Sequence, residues 1–215
     1  NYARRVEEKD PRSRKKKIKH LFPRYHQLDA VRRLLKHARK KGPGQRYLIQ
    51  HSAGSGKSYS ITWLTHQLIE LEKKGKPVFD TVFVITDRRV LDAQIRSEIK
   101  RFAQVGAVVG AVTDGSAQLK QFIQQGKRII TSTVFKFPYI LKELGTAHKD
   151  RHFAIVIDEA HSSQGGKVAA SMNMVLSGLT FDEDADLEDI LNTLIASKRM
   201  LPNASYFAFT ATPKS

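Results

Sequence analysis

Between β-prone and helical stretches the chain reads Ser52-Ala53-Gly54-Ser55-Gly56-Lys57-Ser58, glycines followed at once by a cation and a hydroxyl. Lacking a Cβ, Gly54 and Gly56 let backbone N–H groups curl around a phosphate, and a following helix adds the partial positive charge of its N-terminus. In that setting Ser52, Ala53, Gly54, Ser55 and Gly56 form a cradle, Lys57 spans the β- and γ-phosphates of a nucleotide, and the Ser58 hydroxyl is placed to ligate Mg²⁺. The segment departs from the full G-x-x-x-x-G-K-[ST] pattern, because His51 stands at the first glycine position. A second constellation follows at Ile155-Val156-Ile157-Asp158-Glu159. An apolar strand ending in two carboxylates can divide labour: Asp158 holds Mg²⁺ through its water shell, and Glu159 orients and deprotonates the water that attacks the γ-phosphorus. Capping of the next helix is the plainer use of two such acids. The phosphate cradle upstream favours the chemical one. Hydrolysis of a nucleotide with Mg²⁺ is therefore the predicted reaction.

The nucleotide base has a candidate reader in Phe22-Pro23-Arg24-Tyr25-His26-Gln27, where Arg24 and Gln27 are predicted to bind nucleotide. A carboxamide both donates to and accepts from the adenine edge, so Gln27 would select ATP over GTP. An exposed helix position is the other reading of Gln27, and spacing alone leaves the two even.

These groups need a scaffold. Leu28, Val31, Leu34 and Leu35 fall at helical spacing, and Gly42-Pro43-Gly44 ends that helix. Beyond it, short β-rich runs alternate with longer amphipathic ones, the pattern of βαβ units that build a parallel sheet. Strands are predicted at Tyr47–Ile49, Thr81–Ile85, Ala107–Val112, Arg128–Thr131, Phe153–Ile157 and Tyr206–Phe209. Helices are predicted at Ser58–Lys73, Val90–Phe102, Ala117–Gln125 and Phe135–Leu144. Asp182 to Asp189 is acidic, and Leu187, Ile190, Leu191, Leu194 and Ile195 form a further helix behind Asp186 as N-cap. The expected fold is α/β, a mainly parallel central sheet between helices.

Composition sets the outer bounds. A chain of 215 residues is long enough for one large domain with a substantial core. With 37 Lys+Arg against 21 Asp+Glu the formal charge is +16, the balance of a surface that meets a polyanion, and nucleic acid is the leading partner. Cysteine is absent, which removes disulfides and thiolate metal sites and fits a reducing cytoplasm. No apolar run approaches the ~20 residues of a membrane span, so no membrane partner is expected. Arg12 to Lys19 is a dense basic run with no apolar face, read as an arm or linker over residues 1–20; a solvated linker and a phosphate contact are equally open.

The stretches FPRYHQLDAVR, RYLIQHSAGSGKS, VFVITDRRVLDAQI, DEAHSSQ, EDILNTLIAS and PNASYFAFTATPK, spread from Phe22 to the end, together resemble the motor subunit of type I restriction enzymes. The phosphate loop, DEAH and Thr-Ala-Thr motifs belong to superfamily 2 motors at large, whereas ITDRRVLDAQ, DEAHSSQ and FAFTATP point to the restriction family. The resemblance implies a three-layer RecA-like domain over residues 21–215, ending after motif III, with the second RecA-like lobe and the nuclease domain outside the sequence. It implies an ATP-fuelled translocase on double-stranded DNA, cytoplasmic, working beside methylation and specificity subunits. His161 would face Thr210-Ala211-Thr212 and couple nucleotide state through Thr210 and Thr212. Thr86, Arg88 and Arg89 correspond to motif Ia, and Thr131, Thr133 and Lys136 to motif Ib, both expected along the DNA track; backbone phosphates can be held there without reading bases. A strand-separating helicase and a nucleotide-gated DNA-binding switch are the competing readings.

Overall fold

A computed structural model describes residues 4–9, 16–52, 54–86, 109–112, 115–158 and 201–210. Near the N-terminus β1 (Arg4–Lys9) and β2 (Lys16–Leu21) pair antiparallel, from Arg4 opposite Leu21 to Lys9 opposite Lys16. Part of the basic run read as an arm or linker is thus a strand. Ladder pairing needs only backbone groups and a partner strand, so the missing apolar face does not prevent it.

Helix α1 (Tyr25–Lys41) buries Val31, Leu35 and Ala38 at i, i+4 and i+7, and its last turn carries Arg39, Lys40 and Lys41, the charge that suits the negative end of the helix dipole. Gly42, at φ 80°, ends it by donating its N–H to Ala38 O at 2.8 Å. Then follow β3 (Arg46–Gln50), α2 (Lys57–Ile69), a hairpin of β4 (Glu72–Lys73) and β5 (Lys76–Pro77), β6 (Thr81–Thr86) and β7 (Val109–Ala111). The remaining elements are α3 (Gly115–Gln124), β8 (Ile129–Thr133), a 3₁₀ turn at Val134–Lys136, α4 (Phe137–Ala147), β9 (Phe153–Ile157) and β10 (Ala204–Thr210).

Six strands form one sheet in the order β3-β10-β9-β6-β8-β7, and every pairing in it is parallel. Parallel strands covered on both faces read as continuous apolar runs, as β6, β9 and β10 do, with every residue buried. Alternation still sorts their side chains. Val82, Val84, Val156, Phe207 and Phe209 pack with Val31, Leu35, Ile61 and Leu64 of α1 and α2, whereas Phe83, Ile85, Ile155 and Ile157 pack with Leu119, Ile123, Ile140 and Leu144 of α3 and α4. Two hydrophobic layers flank the sheet. This is the predicted three-layer α/β architecture.

Element limits differ from expectation where local chemistry intervenes. The hairpin of β4 and β5 replaces the last turn expected of α2, since Lys74 and Gly75 take φ values of 53° and 74° that no helix accommodates. Helix α1 outruns its apolar stripe because polar first and last turns complete it. The helices expected at Val90–Phe102 and behind Asp186 lie outside the described residues, as does the start of the strand expected at Ala107–Val112.

Phe207 is fully buried, stacked on Tyr47 at 4.6 Å between ring centroids and edge-on to Phe79 at 6.4 Å. Phe207→Ala should cost about 3–5 kcal/mol of unfolding free energy in a urea titration, the usual penalty for emptying an aromatic core position.

Candidate nucleotide site

All strands of the main sheet run the same way, so the residues after them collect at one edge. There β3 ends at Gln50 and the chain turns through the phosphate-loop residues into α2. The turn rests on glycine: Gly54 has φ 73° and Gly56 φ 84°, in the left-handed region. A Cβ at Gly54 would meet nothing within 4 Å, so the space beside it is open, whereas one at Gly56 would lie 2.6 Å from the Gln27 carboxamide nitrogen. Helix α2 begins at Lys57, and amides in a first turn lack intrahelical acceptors, which makes them a seat for an anion.

Three strands bring the second motif alongside. Strand β10 hydrogen-bonds to β3 on one side and β9 on the other, and Asp158, just past β9, donates its N–H to Ile85 O at 2.9 Å. The Lys57 ammonium lies 3.2 Å from the Asp158 carboxylate, whose side chain is only 1% exposed. A buried carboxylate, an ammonium and the Ser58 hydroxyl at a helix start form an oxygen-rich, charged donor set that fits a nucleotide phosphate with Mg²⁺. Ala53, Glu159, His161 and Thr212 lie outside the described residues. Ser52 and Gly54 are exposed, and Ser55, Gly56, Lys57 and Ser58 are half-buried.

Gln27 is not an exposed helix residue. It is 3% exposed, and its carboxamide accepts from Arg24 N–H at 2.8 Å and donates to Ser55 O at 3.1 Å and Gly56 O at 2.9 Å. The amide therefore fastens the start of α1 to the phosphate loop. Arg24 itself is exposed, as are the aromatic rings of Phe22 (68%) and Tyr25 (82%).

Sequence reasoning missed the histidines that brace the loop. His51, noted only as a departure from the glycine pattern, is buried with Nδ1 3.2 Å from Ser55 Oγ, and the exposed His26 sets Nε2 3.2 Å from Ser55 O. The two rings stand edge-on with centroids 5.7 Å apart. His51 N–H also donates to Thr210 O at 2.9 Å, joining the end of β10 to the loop. Burial, His26 and Lys57 hold the His51 ring below the usual histidine range.

The residues expected on a DNA track divide. Thr86 and Thr131 are 0% and 1% exposed. Their hydroxyls are thus inside the sheet layer, a correction to the side-chain phosphate contacts expected of them. A buried strand end points every second side chain into a helix layer, and that alternation outweighs the polar character of threonine. Thr133 and Lys136 are half-buried at the end of β8 and in the following turn, while Arg88 and Arg89 lie outside the described residues.

Residues 26–183 match the profile of the SWI2/SNF2 ATPase family. The chain belongs to that family. Among named relatives, the type I restriction enzyme SauMSSORF170P endonuclease subunit of Staphylococcus aureus is 26% identical over 196 residues, covering 89% of this chain and 17% of the relative. The HindI endonuclease subunit of Haemophilus influenzae is 26% identical over 180 residues, 82% of this chain and 16% of its own. The provisionally named MjaVIIIP endonuclease subunit of Methanocaldococcus jannaschii is 28% identical over 189 residues, 78% and 18%. This SWI2/SNF2 chain therefore spans under a fifth of the length of each of these three relatives. Its fold is like that of the Hef helicase domain of Pyrococcus furiosus, with TM-score 0.56 and 15% identity over 90% of this chain and 33% of that one. T4 UvsW is similar, at TM-score 0.53 and 15% identity, with 90% and 31% covered.

The His51 shift sets a pH dependence for this SWI2/SNF2 domain. An unfolded His51 takes up a proton near its ordinary pKa of 6.5, while the folded ring resists it. Stability held above that pH is lost as pH falls from the ordinary value toward the lowered one, because the unfolded chain then binds more protons. In melts between about pH 7.5 and 5.5, the wild-type protein should lose stability relative to a His51→Asn variant. A pH-independent difference would contradict the placement of the ring.

Proposed function

We propose that the chain is the first ATP-binding lobe of the motor of a type I restriction enzyme endonuclease subunit, coupling ATP hydrolysis to translocation along double-stranded DNA. The observation that carries this reading is the 3.2 Å approach of Lys57 to the buried Asp158 beside a glycine turn at a helix start. The restriction-subunit names of the relatives and the ITDRRVLDAQ and DEAHSSQ stretches support the specific assignment.

In this reading the amides around Gly54 and Gly56 receive the phosphates, and the Lys57 ammonium moves from Asp158 to the β- and γ-oxygens. Asp158 and Ser58 would hold Mg²⁺, which would supply charge to offset that developing on the transferred phosphoryl oxygens. Glu159 takes the proton of the attacking water. Gln27 reads adenine by giving up one of the two N–H bonds with which its carboxamide holds Ser55 and Gly56, so base recognition and loop geometry compete for one side chain. The exposed rings of Phe22 and Tyr25 offer the base an apolar face. His51, bonded to Thr210 O, gives nucleotide state a direct path into β10, toward the expected coupling partners His161 and Thr212. Thr133, Lys136, Arg88 and Arg89 contact DNA phosphates; Thr86 and Thr131 contribute through the strand ends they close. A second lobe supplying an arginine finger would add ~10³–10⁵ to the rate, so this lobe alone turns ATP over slowly. Methylation and specificity subunits are the proposed protein partners, in the cytoplasm.

Glu159→Gln in the intact protein should leave ATP affinity within about twofold and lower turnover by at least ~10²-fold, as expected for loss of a general base. Undiminished turnover would remove Glu159 from the chemistry. Duplex DNA should stimulate the wild-type ATPase more than single strands or RNA; the reverse order would favour a strand-separating helicase.

A further inference from the structure

The opposite edge of the sheet carries a charge pattern that the nucleotide chemistry does not use. Helix α1 starts at the phosphate loop, where Gln27 bonds Ser55 and Gly56, and runs to Gly42 and Gly44, the latter against Pro202 ahead of β10. Helix α2 likewise ends near the start of β8, where Arg128 donates to Ile69 O. Twelve residues at 1.5 Å each put Arg39 about 18 Å along the helix from Gln27. The far ends of α1 and α2 therefore lie well away from the phosphate loop and from Thr133 and Lys136.

Between those far ends is a groove of about 340 Å³ whose floor includes Leu35 and Leu71. Arg32, Lys36 and Arg39 line one wall at i, i+4 and i+7, with one carboxylate, Glu70, among the groove residues. Lys40 and Lys41 continue the basic surface, and Lys73 in the hairpin is tied to it by donating its ammonium to Lys40 O at 2.8 Å. Lys74 and Lys76 are exposed beside it.

We infer that this groove is a second DNA-binding surface, taking the phosphodiester backbone of a duplex segment distinct from the one along the strand-end loops. It does not depend on the nucleotide reading. Arg32 to Arg39 rises about 10.5 Å along the helix, comparable to about three base-pair steps of a duplex at ~3.4 Å of axial rise each. A row of three cations of that length suits a regular polyanion. A protein partner would call for aromatic or aliphatic anchors at the centre of its footprint. The exposed large hydrophobic side chains among the described residues are Phe22, Tyr25, Leu48 and Tyr139, none of which lines this groove.

Two measurements with a short duplex of mixed sequence test the assignment. In fluorescence anisotropy, Lys36→Gln combined with Arg39→Gln should weaken binding about tenfold and reduce the slope of log K against log salt by about 2, one unit per lost phosphate contact. Because those substitutions could act through the fold, the second measurement uses the unaltered chain: lysine acetylation read by mass spectrometry, with and without duplex. Lys36 and Lys40 should be protected several-fold by DNA, while Lys142 and Lys149, away from the groove, keep their rates. Equal modification of Lys36 in both conditions, or an unchanged salt slope in the double variant, overturns the proposal, and the nucleotide site would stand untouched by either result.

Discussion

The contact between Lys57 and Asp158 depends on where one strand inserts. Strands β3 and β9 carry the two motifs but do not touch; β10, the last of the three in sequence, lies between them and hydrogen-bonds both. Parallel pairing then brings the phosphate turn and the carboxylate to the same edge, and the ammonium reaches to 3.2 Å of a side chain 1% exposed. Burying two charges is costly unless they satisfy each other, and removing one leaves the other stranded, at a cost of about 3–5 kcal/mol. The sheet order and the charge pair thus constrain one another. Any registration that separated β3 from β10 would take the Lys57 ammonium away from that carboxylate.

Around that pair the phosphate turn is held from three directions. Gln27 reaches from α1 to Ser55 and Gly56, His51 reaches from the end of β3 to Ser55, and the His51 backbone is bonded to the end of β10. Glycine at position 56 is needed twice, for a φ of 84° and for room beside the Gln27 amide. A loop with so many outside supports responds to the elements that hold it. This gives the proposed motor a physical route by which base recognition at α1 and strand movement at β10 alter phosphate binding.

The apolar runs were legible because a doubly covered parallel sheet buries every residue of its central strands: Phe153–Ile157 was predicted to the residue, and β6 and β10 were found with shorter limits. The turn from β3 into α2 and the end of β9 before Asp158 were legible because glycines break an apolar strand and acids close one; the structure then sets Lys57 3.2 Å from Asp158. What sequence could not give was tertiary. Gln27 could be bound or exposed until its partners 28 and 29 residues away were known. His51 looked like a mere substitution until Ser55, His26 and Thr210 closed around it. Thr86 and Thr131 were expected on a DNA track because the resemblance puts motifs Ia and Ib there, and only the packing of the sheet shows that both side chains are inside. The strand at Lys16–Leu21 escaped notice because it has no alternation of apolar and polar residues to betray it.

Calorimetric titration of this chain with ATP and Mg²⁺, set beside the same titration of Lys57→Ala, bears most directly on the site at the strand ends. Far-UV circular dichroism would establish that both proteins are folded. Binding by the wild type, preferring ATP to GTP and lost in Lys57→Ala, is the predicted result. Unchanged ATP affinity in a folded Lys57→Ala protein would mean that nucleotide is held elsewhere and that the glycine turn is not its cradle.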